Sequence, residues 1–205
     1  MSGLFVTFEG IDRSGKTTQA AMLCEALGDE ALAVREPGGT EVGERLRELL
    51  KDQALAIAPE AEALMFAAAR AQLVADVIRP ALEEGRVVVS DRFLDSSLAY
   101  QGVARGLGVE DVEQINRFAT GGLLPDITLL LSIDPARAAA RAGQLDRFED
   151  EGDSLQRAVF GAYRELADAD PGRWRTVDAD RPSKEVHDEV LQAVQAARSG
   201  AGARA

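Results

Sequence analysis

The stretch Phe5-Val6-Thr7-Phe8-Glu9-Gly10-Ile11-Asp12-Arg13-Ser14-Gly15-Lys16-Thr17-Thr18 decides how the rest of the chain is interpreted. Its glycines, lysine and first threonine after the lysine fit the pattern G-x-x-x-x-G-K-[ST], the phosphate-binding P-loop. An apolar, β-favouring run at 4–8 precedes the loop, and a helical pattern at 17–27 follows it. Backbone N–H groups at such a junction point at phosphate oxygens. The stretch therefore predicts that the chain binds a nucleoside triphosphate.

The individual loop residues have expected roles. Lys16 is expected to reach the β- and γ-phosphates, and the Thr17 hydroxyl to bind Mg²⁺. The alternative is an ordinary glycine-containing turn with an exposed lysine. The predicted ATP-binding residues in this region are Gly10, Asp12, Arg13, Ser14, Gly15, Lys16, Thr17 and Thr18.

Composition limits the class of protein. The chain has 205 residues, which suits one domain with a full core, and a net charge of −12, which argues against a general nucleic-acid surface. No apolar run approaches the roughly 18 residues of a membrane span, so no membrane partner is expected. Met1-Ser2-Gly3 leads directly into the first strand without room for a signal peptide. The single cysteine, Cys24, permits no intrachain disulfide, and a cytoplasmic location is expected.

Strand and helix patterns alternate along the chain. Strands are predicted at about 3–9, 31–35, 87–89, 127–133 and 173–177, and helices at about 16–27, 41–51, 59–84, 110–119, from 135, 154–168 and 183–197. This alternation predicts a three-layer α/β P-loop kinase fold, in which a five-stranded parallel sheet carries helices on both faces. We expect one domain over 1–198 and a disordered polar tail at 199–205.

Other local expectations concern breaks in the pattern. Pro80 should kink the long third helix near 77–79. Gly102, Gly106 and Gly108 suggest a loop, and the charged stretch at about 142–153 suggests a mobile one.

Arginine-bearing loops follow three of the predicted strands: the P-loop, the segment after Arg35 and the segment after Asp91. In parallel sheets, ligands bind beyond the carboxyl ends of the strands. The convergence of these loops predicts a second anionic ligand beside the triphosphate.

Several segments resemble, in order, the characteristic blocks of the thymidylate (dTMP) kinase family. These segments are Phe8-Glu9-Gly10 with Asp12, Arg35–Thr40, Phe66–Arg70, Asp91–Gly102, Leu145–Glu149 and Val177–Ala179. The resemblance implies ATP-dependent phosphorylation of dTMP to dTDP, in dTTP biosynthesis, by a homodimeric, Mg²⁺-requiring nucleoside monophosphate kinase. The apolar faces of the helices near 41–51, 63–78 and 110–119 could supply the dimer contact, although core packing explains the same pattern.

The resemblance also implies a dTMP site. Arg92 would hold the acceptor phosphate, beside an Asp91 that orients this arginine or positions metal-bound water. Arg47 would be a further phosphate ligand, as could Arg35.

The nucleoside contacts follow from the same resemblance. Phe66 would stack on thymine and Arg70 would reach its O4, while Ser97 and Gln101 would contact the base or its shell. Tyr100 would pack beside the sugar. Two carboxylates complete the set, Asp12 near the 3′-OH and Glu36 in the water network.

A lid over ATP is implied for about 142–153. Arg141, at its start, would cover the adenine, and Arg147 would approach the transferring phosphoryl group. The family divides by whether its catalytic arginine lies in the P-loop or in the lid, and this chain has both Arg13 and the lid arginines. Our hypothesis assigns closure over the phosphoryl group to Arg147, with Arg13 contributing charge or a lid contact.

Two other functions compete with this interpretation. One is a P-loop kinase acting on a different nucleotide or a nucleoside. The other is a nucleotide-binding switch or motor-type ATPase, which would use water as acceptor and would have no need for a second phosphate site.

Overall fold

A five-stranded parallel sheet forms the centre of the molecule in the computed structural model, which describes residues 3–141 and 153–202. The strands are β1 (Leu4–Glu9), β2 (Ala31–Arg35), β3 (Val87–Asp91), β4 (Ile127–Ser132) and β5 (Trp174–Asp178). Their order is β2-β3-β1-β4-β5, and every neighbouring pair is parallel. The predicted fold class is confirmed.

Helices surround the sheet. They are α1 (Lys16–Leu27), α2 (Glu41–Lys51), α3 (Pro59–Leu73), α4 (Arg79–Glu83), α5 (Leu94–Ser97), α6 (Val109–Thr120), α7 (Pro135–Ala139), α8 (Asp153–Ala169) and α9 (Ser183–Gly202), with π-helical turns at Val74–Ile78 and Leu98–Ala104 and a 3₁₀ turn at Gly28–Glu30. Within the described ranges, no helix combines the length and the apolar character that crossing a bilayer requires.

Each face of the sheet packs a separate apolar core, because neighbouring residues on a strand point to opposite faces. Phe5 joins a core with Val88 and Phe93, and the Phe5 and Phe93 rings meet edge to face at 4.8 Å. Val6 and Phe8 face the opposite core. All six positions of β1 are buried, as expected for a strand covered on both sides.

Strand register brings the functional loops together. Asp91, the last residue of β3, lies opposite Phe8 of β1 and Arg35 of β2. The carboxyl ends of these strands are therefore level, and the P-loop, the loop after Arg35 and the loop after Asp91 leave the sheet at one edge.

Two local expectations need correction. The helix predicted at 59–84 is interrupted by a π-helical turn at Val74–Ile78, and Pro80 lies in the first turn of α4 directly after it. The kink expected near 77–79 stays a prediction. Gly102, predicted in a loop, lies within the helical turn Leu98–Ala104, where an added Cβ would sit only 3.3 Å from the Val109 Cα. Glycine is used there for close packing, not for a turn.

The chain's last segment differs too. Helix α9 continues to Gly202, so the expected tail does not begin at Ser199. The predicted lid falls mostly at 142–152, which lies outside the described residues, as do 203–205.

Candidate active site

The P-loop connects β1 to α1 through residues that require unusual backbone angles. Gly10 has φ +144°, and a Cβ there would lie 2.8 Å from the Leu131 carbonyl oxygen, so only glycine fits. Arg13 adopts a left-handed φ of 61°, which is uncommon for a non-glycine residue. Lys16 opens α1, and its Nζ donates to the Ile11 carbonyl at 2.7 Å. Burial lowers the pKa of Lys16 to about 8.

Two hard oxygen ligands meet beside this loop. The Thr17 hydroxyl donates to Asp91 Oδ2 at 2.5 Å, although the two residues are far apart in sequence. Mg²⁺ is usually held by one or two protein oxygens together with substrate phosphates and water. No cluster of three or more acidic, histidine or cysteine ligands forms within the described ranges. The pair therefore fits a Mg²⁺ shared with a nucleotide, and does not fit an all-protein metal cage.

Arg92 directly follows β3, at the carboxyl ends of the strands where the three loops meet. Its φ is +73°, so the backbone there is strained. The guanidinium forms an ion pair with Asp12 at 2.5 Å, donates to the Gly10 carbonyl at 3.2 Å, and lies over the Tyr100 ring at 5.1 Å. Burial opposes ionisation of Asp12, but Arg92 and Lys16 still hold the pKa of that carboxyl below its ordinary value. Asp12 is thus an anion that orients the arginine.

A buried carboxylate, that of Glu9, holds the groups that contact Arg92 from the protein interior. Glu9 is fully buried and accepts hydrogen bonds from the Phe93 N–H at 2.8 Å, the Ser96 hydroxyl at 2.6 Å and the Tyr163 hydroxyl at 2.8 Å. Burial, together with the nearby Asp95, raises the pKa of Glu9 to about 7.

The hydroxyls that Glu9 holds also contact Arg92. Its Nη1 donates to Ser96 at 3.1 Å and to Tyr163 at 3.2 Å. Sequence reasoning assigned no role to Glu9, Ser96 or Tyr163.

Helix α8 contributes another residue that the sequence did not suggest. The Gln156 amide donates to Asp12 Oδ2 at 2.7 Å and accepts from the Asp12 backbone N–H at 3.2 Å. This reciprocal pair ties the P-loop to the helix that follows the predicted lid.

A cavity of about 320 Å³ opens at this edge of the sheet. It is lined by Asp12, Arg13, Lys16, Thr17, Arg35, Glu36, Pro37, Arg47, Lys51, Phe66, Asp91, Arg92, Ser96, Ser97, Tyr100 and Gln101. Most predicted dTMP-site residues are therefore placed around one space. Among the described residues, the predicted site residues that do not line it are Gly10, Ser14, Gly15, Thr18, Arg70 and Arg141.

Arg70 lies behind the cavity wall rather than on it. The side chain is 1% exposed and pairs with Glu36 at 2.5 Å. It also donates to the Ser97 hydroxyl at 3.1 Å and to Asn116. Burial raises the pKa of Glu36 although Arg70 opposes this, and Glu36 Oε1 has no hydrogen-bond partner among the described residues. Arg70 thus holds two wall residues in place, while its predicted contact with the base stays a prediction.

Two further arginines predicted as phosphate ligands line the cavity. Arg35 is half exposed and pairs with Glu44 at 2.9 Å. The Arg47 guanidinium donates to the Pro37 carbonyl at 2.8 Å. Both phosphate candidates therefore line the same cavity as Lys16 and Arg92.

The start of the predicted lid lies against the P-loop. Arg141 donates to the carbonyls of Arg13 at 3.1 Å and Ser14 at 3.2 Å, and to the Ala179 carbonyl at 2.5 Å. Arg13 returns the contact by donating to the Ala139 carbonyl at 3.1 Å. Arg147 lies outside the described residues, so its predicted position is untested.

Comparisons with known proteins found a family model, relatives and a solved structure that match most of the chain. A model of the thymidylate kinase family matches residues 8–190. The chain is 49% identical to the thymidylate kinase of Pelotomaculum thermopropionicum over 203 residues, covering 95% of this chain and 94% of the relative. It is 52% identical to that of Desulforudis audaxviator, covering 88% and 85%. Its fold is similar to the crystal structure of thymidylate kinase from Ehrlichia chaffeensis, with TM-score 0.79, 31% identity and coverage of 95% and 99%.

Proposed function

The chain belongs to the thymidylate kinase family, and we propose how its cleft carries out the transfer of a phosphoryl group from ATP to dTMP. The chain is a nucleoside monophosphate kinase that forms dTDP for nucleotide biosynthesis. The observation that best supports the proposed site is that one cavity is lined by both Lys16 of the P-loop and Arg92 of the strand-end loop. A single phosphate site would need only the first of these.

The donor side is the P-loop. Its N–H groups, with the N-terminus of α1, would hold the ATP phosphates, and Lys16 would exchange its bond to the Ile11 carbonyl for a phosphate oxygen. Arg141 would cover the adenine from the position it occupies between Ser14 and Ala179. Mg²⁺, held by Thr17 directly and by Asp91 through water, would neutralise charge on the phosphates.

The acceptor side is the wall opposite. Arg92, with Arg47, would hold the dTMP phosphate in line with the donor, since phosphoryl transfer depends mainly on positioning and electrostatics. Asp12 would keep Arg92 oriented and contact the sugar 3′-OH. Phe66 would stack on thymine, and Tyr100 would pack beside the sugar.

The catalytic arginine is assigned to Arg147, with Arg13 in support. The Arg13 guanidinium already bonds to the Ala139 and Arg141 carbonyls, which supports a role in holding the start of the lid.

We also propose a homodimer, a single domain over 1–198 and a cytoplasmic location. Helix α3 packs against α2 and α6, and these helices expose Leu49, Leu64 and Phe118 to 47%, 55% and 91%. Large apolar side chains exposed on helices that pack against one another support a contact with a second copy.

An ADP-coupled assay tests the function. ATP consumption should require dTMP, continue with dUMP at a lower rate, and stay near background with water as the only acceptor. Hydrolysis without dTMP at the full rate would favour the ATPase alternative, and preference for another nucleotide would favour the other kinases.

A further inference from the structure

A buried glutamate outside the cavity contacts one of the wall residues predicted to meet the base. Glu62 lies on α3, one turn before Phe66, and its side chain is 2% exposed. Its Oε1 accepts from Gln101 Nε2 at 2.9 Å. Arg105, one turn beyond Gln101, forms an ion pair with the same carboxylate at 3.3 Å. Glu62 does not line the cavity, so it can affect a ligand only through Gln101.

The contact fixes which end of the Gln101 amide faces the cavity. Arg105 and Gln101 both donate to the Glu62 carboxylate, so the amide nitrogen of Gln101, not its oxygen, faces Glu62. No described residue donates to Gln101 Oε1, although Gln101 itself is 2% exposed and lines the cavity. The cavity wall therefore presents a hydrogen-bond acceptor at this position.

Ser97 presents a hydrogen-bond donor to the cavity instead of an acceptor, and its buried partner is again the reason. It precedes Gln101 by one turn and receives a hydrogen bond from Arg70 Nη1 at 3.1 Å. A guanidinium only donates, so Ser97 Oγ is the acceptor in that bond and keeps its own O–H to donate. Two buried charges thus set a donor and an acceptor side by side on the cavity wall.

We propose that Glu62 is a positioning residue that sets the base preference of this kinase, by making Gln101 offer its oxygen to the N3–H of a 4-oxo pyrimidine. The inference rests on the proposed function, since it needs the base to lie against Gln101 and Ser97. Thymine and uracil present an N3–H donor and an O4 acceptor, which match this wall. Cytosine presents an N3 acceptor and an N4 amino donor, so both of its groups meet a group of the same kind.

The test replaces Glu62 with glutamine and measures kcat/KM for dTMP, dUMP and dCMP. The single oxygen of the new amide can accept either from Gln101 Nε2 and Arg105 Nε, as Oε1 does now, or from Arg105 Nη2, as Oε2 does now. Neither orientation keeps all three bonds, so the Gln101 amide loses its single fixed direction. The ratio of kcat/KM for dTMP to kcat/KM for dCMP should fall by about tenfold or more. Buried polar groups discriminate strongly only when the wrong base would leave them unpaired, and a Gln101 amide that can turn can pair with either base. The dTMP-to-dUMP ratio should not change, since both bases present the same edge.

The matched control is Glu60→Gln, which removes the same charge from an exposed position on the same helix and should leave every ratio unchanged. Damage to the fold would lower all three activities together. If Glu62→Gln does not fold, Gln101→Met serves instead, because it removes the acceptor and should also lower the dTMP-to-dCMP ratio.

An unchanged dTMP-to-dCMP ratio in a folded variant of either kind would overturn the inference while leaving the kinase assignment intact. Wild-type enzyme that does not phosphorylate dTMP would instead remove the premise.

Discussion

Replacing Glu9 with glutamine should remove the contribution of this residue to the pH dependence of the free energy of unfolding. Burial raises the pKa of Glu9 from an ordinary 4.5 to about 7, so the folded chain holds this proton more tightly than the unfolded chain does. The stability from this group is therefore fully present below about pH 4.5 and is lost as the pH rises through about 7. At about 1.4 kcal/mol for each tenfold difference in proton affinity, the loss is about 3 kcal/mol.

Glutamine can keep the hydrogen bonds that Glu9 makes. Its oxygen can accept from the Phe93 N–H, and its amino group can donate to the Ser96 and Tyr163 hydroxyls, which can rotate. Because the new side chain is neutral at every pH, the variant should match the protonated wild type at pH 5. At pH 8 it should be more stable than wild type by about 3 kcal/mol.

Urea unfolding of both proteins at pH 5 and pH 8 measures this difference, and titrating groups that do not interact with Glu9 cancel in the comparison. Glu165→Gln, an exposed change on α8, is the matched control and should show no such pH dependence. If the stability difference between wild type and Glu9→Gln changed by less than about 1 kcal/mol between the two pH values, the reasoning would be refuted. Arg92 and the hydroxyl donors would then stabilise the buried anion enough to offset its desolvation.

Three further outcomes are expected. In steady-state kinetics, Arg147→Ala should lower kcat by about 10³ or more and Arg13→Ala should be milder; the reverse order would move the catalytic role to Arg13. Arg70→Met should lower the free energy of unfolding by about 3–5 kcal/mol because it leaves Glu36 buried without its partner, and adding Glu36→Gln should recover part of the loss; no recovery would contradict the pairing argument. Phe118→Asp should convert a dimer to a monomer in sedimentation equilibrium, and a monomeric wild type would refute the dimer.

The sequence predicted the strands and the P-loop because their signals are local, whereas the residues of the dTMP site were predicted through the family resemblance. The P-loop spacing and the β-branched run at Val87–Val89 each lie within a few residues, and the regular alternation orders them into one parallel sheet. Gly102 was misassigned because glycine favours turns locally, whereas here the close approach of Val109 decides its use.

The support behind the site could not be predicted in the same way. Tyr163 reaches Glu9 across 154 positions of sequence, and Gln156 reaches Asp12 across 144. Such contacts carry no spacing rule, and each side chain alone has an ordinary structural explanation. The π-helical turn at Val74–Ile78 could not be predicted for another reason, since its apolar pattern barely differs from that of an α-helix.

Exposure separates the arginines that can bind substrate from those that hold the site in shape. Arg70 is 1% exposed and Arg92 is 18% exposed, yet each pairs with one carboxylate at 2.5 Å. A nucleotide phosphate can reach the second ion pair without unfolding the wall, but it cannot reach the first. In a chain with a net charge of −12, the pairing of Arg92 with Asp12 and of Arg35 with Glu44 reduces the repulsion among the cations of the cleft before substrate arrives. Because Asp12 already fixes the direction of Arg92, less ordering remains to be done when dTMP binds, so more of the binding energy is available for aligning the two phosphates.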